Sequence, residues 1–354
     1  MKHLRDSCFP VNSRGGPRIL GDRPRPGIQE NKGGDDSPQR EVDSLVQYFP
    51  EGALLDTPEN LRATGSLEGL ERARMSGRIC EGRAMVCDSA HNLWVDLQGI
   101  RGKIPREDGA IGLDDGSARD IAVISRVGKP VCFVVAGFQR AASGETVALL
   151  SRRHAQLRCR DEYLSRLRPG DVIPARLTHL DQFGCFMDVG CGISSLLPID
   201  AISVSRISHP RDRFRCGDGV FVVVRGRDAC GRLCLSHKEL LGTWEENASA
   251  FMPGETVAGV VRSVESYGVF VELRPNLAGL AEPYDGIAAG QYASVYIKSL
   301  LPEKMKVKLV IIDVFDHPVP LEKPRYFITG GHIDRWTYSP PGCRKLLETT
   351  FEEA

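Results

Sequence analysis

Between residues 76 and 315 the apolar residues fall mainly in short alternating runs, such as Cys185 to Val189 and Val269 to Leu273, broken by Gly, Pro and Asp. A period of two bounded by turn residues predicts half-buried strands. One face of each run is apolar: Cys185, Met187 and Val189; Val269, Val271 and Leu273; and, upstream, Leu93, Val95 and Leu97. The other face pairs an aromatic with an acid three times, as Trp94 with Asp96, Phe186 with Asp188, and Phe270 with Glu272. An unpaired carboxylate avoids an apolar core, so this second face, rings included, is predicted to meet water.

The runs belong to a repeat. A shift of 84 residues lays Pro169-Gly170-Asp171 on Pro253-Gly254-Glu255, Phe183 to Asp188 on Tyr267 to Glu272, and Leu196 on Leu280 without a gap. A weaker third copy carries His91-Asn92-Leu93-Trp94 in the corresponding place. Each copy predicts a small barrel of about five strands, so the fold class is mainly β, tandem barrels joined by short helices. The modules are expected at 76–152, 168–242 and 252–315, with linker helices over 153–167 and 243–251. The second linker opens on Thr243-Trp244-Glu245-Glu246, the spacing of a capping box. Short helices are expected over 41–75, where Thr57-Pro58 supplies a cap and a first-turn proline. Residues 1–40, rich in Gly, Pro, Arg and Asp, predict an unpacked tail. The extension 316–354, which includes Trp336, has no counterpart in the repeat and receives no role.

Two details sharpen the outer face. Gly184 and Gly268 sit where a bulge would bring Phe183 and Tyr267 beside Phe186 and Phe270. Lys304, Lys306 and Lys308 alternate with apolar residues, predicting a basic stripe on one strand face, while Arg225, Arg227 and Arg232 surround Leu233-Cys234-Leu235.

Composition narrows the function. Of 354 residues 42% are hydrophobic and 26% charged, with 46 basic and 46 acidic side chains, which excludes a polycation held to nucleic acid by bulk charge. No apolar run reaches the length of a membrane span and the start lacks an apolar signal core, so a cytoplasmic location without membrane partners is expected. Eleven cysteines without a CxxC pair suit reduced thiols better than a disulfide framework or zinc ribbon. Candidate sets such as His179 with Cys185 and Cys191, or Cys216, Cys230 and Cys234 with His237, do not assemble into catalytic or metal chemistry, because alternation places Cys185 in a core. No catalytic residue, metal or cofactor is expected. Exposed rings beside a basic rim instead match single-stranded nucleic acid, with stacking for bases and cations for phosphates.

The run PGDVIPARLTHLDQFGCFMDVGCGISSLLP, followed by RDACGRLCLSHKEL and TWEENASAF and restarting at PGETVAGVVRSVESYGVFVEL, resembles the RNA-binding domain family named after ribosomal protein S-one. The resemblance covers about two thirds of the chain and implies an oligonucleotide-binding (OB) five-stranded barrel in each module. Carried over by position, it implies RNA contacts from Phe183, Phe186, Asp228 and Arg232 in the second module and from Tyr267, Phe270 and Lys306 in the third. Lys304 and Lys308 join the set through the basic stripe, and His91 and Trp94 are the candidates in the divergent first module. Pro198 and Glu282 stand where many members carry a histidine. The expected partner is single-stranded messenger RNA, with the ribosome as a further one. The competing expectation is a scaffold whose barrel faces dock proteins, the first module above all.

Overall fold

Fifteen strands close into three barrels in the computed structural model, which describes residues 48–316 and 323–352. The tail expected over 1–40 lies outside the described residues. Barrel 1 comprises β1 (Cys80–Cys87), β2 (Leu93–Leu97), β3 (Ile100–Ile104), β4 (Pro130–Arg140) and β5 (Thr146–Ser151). Barrel 2 comprises β6 (Val172–Asp181), β7 (Gly184–Asp188), β8 (Ser194–Pro198), β9 (Gly219–Arg227) and β10 (Leu233–Ser236). Barrel 3 comprises β11 (Thr256–Glu265), β12 (Gly268–Arg274), β13 (Leu277–Ala281), β14 (Tyr292–Leu301) and β15 (Lys306–Phe315). In each, the third strand pairs parallel to the fifth and every other pairing is antiparallel, the OB arrangement.

Helices serve as connectors. Before barrel 1 stand α1 (Pro58–Thr64), capped by the Thr57 side chain, and α2 (Leu67–Ser76), capped by Ser66 and closed by Gly77 at φ +62°. A short α3 (Ile121–Ile124) bridges β3 and β4. Between barrels lie α4 (Arg152–Glu162) and α5 (Trp244–Ala248). The Thr243 box forms: Glu246 N–H donates to Thr243 Oγ1 at 3.2 Å and Thr243 N–H to Glu246 Oε2 at 2.7 Å.

Alternation places the inward residues correctly, with Leu93, Cys185, Met187, Val189, Val269 and Val271 fully buried and Leu273 half-buried. The acids depart from expectation. Asp188 and Glu272 point away from their barrels, yet they are only 3% and 5% exposed, because a preceding segment covers each. Asp188 Oδ2 accepts the Glu51 N–H at 2.7 Å, and Oδ1 accepts those of Gly190 and Gly192. Glu51 in turn pairs with Arg152 at 2.6 Å and accepts the Cys132 N–H, so this small cluster joins barrel 1, α4 and barrel 2. Burial alone would raise the Glu51 carboxyl, but Arg152 overrides it and leaves it below its ordinary value. Asp188, buried and close to the Glu51 charge, is pushed up to about 7. Glu272 is held by Arg213 from barrel 2 and by Arg262 at 3.0 Å from β11. Beside it Asn276 accepts the Val204 N–H at 3.0 Å and donates to the Lys238 and Gly242 carbonyls. Asp96 is exposed.

The C-terminal extension is a clasp. Its hairpin, β16 (Arg335–Thr337) with β17 (Glu348–Thr350), buries Trp336, Tyr338 and Phe351 in one cluster with α5 and barrel 3. On barrel 2, Val172 N–H donates to Gly331, Ile333 N–H to Gly170, and Phe327 N–H to Leu240. Tyr326 packs edge-on against Phe221, and its hydroxyl lies 3.1 Å from His237 Nε2, whose Nδ1 meets the Ile202 carbonyl at 2.8 Å.

Two measurements test this account. Glu272→Ala leaves Arg213 buried without its carboxylate and is expected to lower stability by about 3–5 kcal/mol in denaturant unfolding, whereas Asp96→Ala should stay within about 0.5 kcal/mol. Equal effects would remove the junction role. Burial drops the His237 pKa from its ordinary 6.5 to about 4, so the unfolded chain binds a proton that the folded chain refuses. The His237 contribution is therefore full above pH 6.5 and falls by about 3 kcal/mol as pH drops to 4. The raised Asp188 and Glu81 carboxyls act in the opposite direction, so the readout is the difference from His237→Gln, which should lack this acid limb.

Candidate nucleic-acid interface

The site grows from the hairpin between the first two strands of each barrel. Asp181 pairs with Gly184, leaving Gln182 and Phe183 as a two-residue turn; Glu265 and Gly268 frame Ser266 and Tyr267 in the same way. A side chain at Gly184 would place Cβ 2.4 Å from the Leu197 carbonyl oxygen, and at Gly268 2.4 Å from that of Ala281. Glycine therefore lets the third strand come close under the turn. The bulges lie elsewhere than expected: register slips on β6 between Leu177 and His179 and on β11 between Val261 and Ser263, not at the glycines. On β6 the Thr178 hydroxyl donates to the Phe186 carbonyl at 3.1 Å, tying the bulge to the ring's own strand.

The turn lifts Phe183 and Tyr267 to 52% and 63% exposure. Each meets the half-buried ring of its second strand edge to face, Phe183 with Phe186 at 6.0 Å and Tyr267 with Phe270 at 6.2 Å. The two barrels thus present the same ring pair. Cross-strand pairing extends it into an outward row, which reads His179, Phe186, Leu196, Cys234 in barrel 2 and Ser263, Phe270, Leu280, Lys308 in barrel 3. His179, exposed with its ring 6.2 Å from Phe186, was missed as part of this face. Plain alternation puts it with Leu177 inside the barrel, and only the bulge at Thr178 turns it out; the polar Thr178 and His179, interrupting an otherwise apolar alternation, are the one signal in the sequence.

The charged residues divide. Lys306 and Lys308 are exposed on β15, but Lys304 is not on the strand: it ends a 3-10 turn, Pro302–Lys304, and Met305 at φ +49° separates it from Lys306. Asp228 organises the β9–β10 turn, accepting the Cys230 and Arg232 N–H groups at 2.9 Å and pairing with the Arg232 side chain at 2.8 Å. Those backbone bonds, that from Arg232 first, hold its carboxyl below the ordinary range. Arg227 is tied to the Leu164 and Leu167 carbonyls.

Barrel 1 differs. The turn position holds His91 at φ +60°, with Nδ1 3.3 Å from Asp120. The Trp94 indole N–H donates to Asp88 at 3.1 Å, and the Arg101 guanidinium lies 4.4 Å above the ring, with the Lys103 ammonium at 5.9 Å. Its row reads Val86, Trp94, Lys103, Leu149, a single ring under cations.

Fold and site together define a tandem array of OB barrels, two of them carrying open ring pairs. No family model matches the chain. It is similar to the small ribosomal subunit protein bS1 of Leuconostoc lactis, 27% identical over 235 residues, covering 61% of this chain and 52% of that protein. The bS1 homolog of Bacillus subtilis is 29% identical over 284 residues, covering 77% and 69%. The bS1 protein of Staphylococcus saprophyticus is 29% identical over 165 residues, covering 43% and 42%. The chain spans about half the length of the Leuconostoc and Staphylococcus proteins. A crystal structure of a multidomain protein with nucleic acid binding domains from Streptococcus pneumoniae aligns over 66% of this chain and 73% of that one at 14% identity, with a TM-score of 0.23. The resemblance read from the motif run agrees with these matches: the chain is similar to bacterial bS1 proteins.

One measurement tests the capped ring of barrel 1. Trp244 and Trp336 are 3% and 5% exposed, so acrylamide quenching reports mainly on Trp94. Arg101→Ala is expected to raise that quenching; an unchanged value would mean that Arg101 does not shield the indole.

Proposed function

We propose that this chain binds single-stranded RNA without catalysis, gripping unpaired bases on the ring pairs of barrels 2 and 3. The carrying observation is that Phe183 with Phe186 and Tyr267 with Phe270 repeat the same exposed edge-to-face arrangement in two barrels. Lys306, Lys308 and Arg232 supply cations beside the rings, and Lys304 adds charge from the neighbouring turn. Stacking contributes about 1–3 kcal/mol per base, while exposed ion pairs contribute little, so the rings dominate. The likeness to bS1 ribosomal proteins supports messenger RNA as the substrate and translation, with the ribosome as a partner, as the process. No helix among the described residues is long and apolar enough to cross a membrane, and cytoplasmic action follows from the translation reading.

Barrel 1 supports a second reading for itself. Its ring is capped, while Met85 and Val86 on β1 are 53% and 54% exposed, a face suited to docking protein. His91, held at Asp120, and Trp94 would then serve that face, with RNA contact secondary.

Replacing Phe183 and Phe186 together by Ala is expected to weaken oligonucleotide binding by roughly 2–5 kcal/mol with the barrel still folded. Affinity measured against salt should show a log-log slope near −0.7 per phosphate contact. Unaltered affinity in the double variant, or no oligonucleotide binding at any salt, removes the reading in favour of the scaffold.

A further inference from the structure

The two outward rows agree in the middle and differ at both ends. Phe186 and Leu196 of barrel 2 correspond to Phe270 and Leu280 of barrel 3, but His179 stands opposite Ser263 and Cys234 opposite Lys308. Barrel 2 has a ring where barrel 3 has a hydroxyl, and a thiol where barrel 3 has an ammonium. The His179 ring is exposed, 6.2 Å from Phe186 and inclined to it by 32°, within the range of interacting aromatics. Phe183 closes the other side of Phe186 edge-on. Three rings therefore line one continuous outer surface, held in register by the Thr178 bond to the Phe186 carbonyl.

We propose that His179 is a third base-stacking ring of barrel 2, and that the two barrels divide recognition: barrel 2 takes the bases of the strand, barrel 3 adds a larger share of its phosphates through Lys306 and Lys308. The inference rests on the RNA-binding reading and assigns the chemistry within it. Stacking is nearly indifferent to salt, whereas each phosphate contact releases counterions and steepens the salt dependence. The division is therefore measurable in one molecule.

The test uses the full chain and a labelled oligouridylate, with affinity followed by anisotropy across a salt series. His179→Ser installs the residue barrel 3 already tolerates at its bulge. It is expected to weaken binding at least about five-fold with an unchanged salt slope. His179→Phe should restore affinity and His179→Lys should not. Ser263→His should strengthen binding by a similar factor. Lys308→Ala should reduce the magnitude of the slope by about 0.7. Full affinity in the Ser variant, or rescue by Lys rather than Phe, overturns the ring at His179. An unchanged slope for Lys308→Ala overturns the division. In either case, loss of affinity in the Phe183→Ala, Phe186→Ala double variant leaves the RNA-binding reading standing; retention there sinks that reading itself.

Discussion

Taking a carboxylate out of water costs several kcal/mol unless protein donors replace its hydration. Asp188 and Glu272 are both removed from water, and each is met by donors that come from the chain preceding its barrel: the Glu51 N–H for one, the Arg213 guanidinium for the other. Gly190, Gly192 and Arg262 supply donors from within the barrels, but the Glu51 N–H and the Arg213 guanidinium reach the acids only when the barrels are docked, so completing the carboxylates' hydrogen bonding and assembling the array go together. The docking also decides which part of the outer face remains open. Phe186 and Asp188 point the same way from one strand, about 7 Å apart. Covering the acid end leaves the turn end, with Phe183 and Phe186, free, and the same division along β12 leaves Tyr267 and Phe270 free while Glu272 is sealed.

The clasp works on the same barrels from the other terminus of the array. Barrels 1 to 3 all belong to one compact unit, 42–354. Main-chain bonds from Gly331 and Ile333 to Val172 and Gly170 are joined by the burial of Trp336 and Tyr338 beside barrel 3. Barrel 2 is thus attached to barrel 3 through α5, through Glu272 and through the extension. On the RNA-binding reading, a strand held by one ring pair would meet the second at an effective concentration set by this scaffold. His237 and Tyr326 lie in this seam, a neutral imidazole bonded on both nitrogens.

Strand alternation made the core and the ring positions legible, because Cys185, Met187, Val269 and Val271 need only local period two to be placed. What it could not show came from distant or non-repeating geometry. The partners of Asp188 and Glu272 lie 137 and 59 residues away, so the acids read as wet when they are sealed. Lys304 left the expected stripe because Met305 takes a left-handed backbone conformation, which alternation does not foresee. His179 faces outward through one extra residue on β6, while Gly184 and Gly268 instead allow the close approach of the third strand. The extension had no repeat to compare with; its aromatic residues were visible, its partners were not.

The first barrel shows how few changes separate its face from the ring pairs of barrels 2 and 3. Its cation cap is worth about 0.5–1 kcal/mol at an exposed site, less than the 1–3 kcal/mol of a stacked base, so Arg101 alone does not bar a base from Trp94. The larger loss is in the neighbours. Val86 replaces the His179 position, and the turn that raises Phe183 and Tyr267 is replaced by a loop in which His91 is drawn to Asp120. Trp94 remains as the one ring of the outward row, where barrel 2 has His179 and Phe186. The Asp88 carboxylate on the indole N–H, held down to about 2 chiefly by its bonds from Asn92, also fixes a negative charge beside the ring. On the proposed reading, a strand offered all three barrels would gain most on the second and third, and the first is left with a surface whose cations, acids and exposed apolar residues suit a folded partner better than an unpaired base.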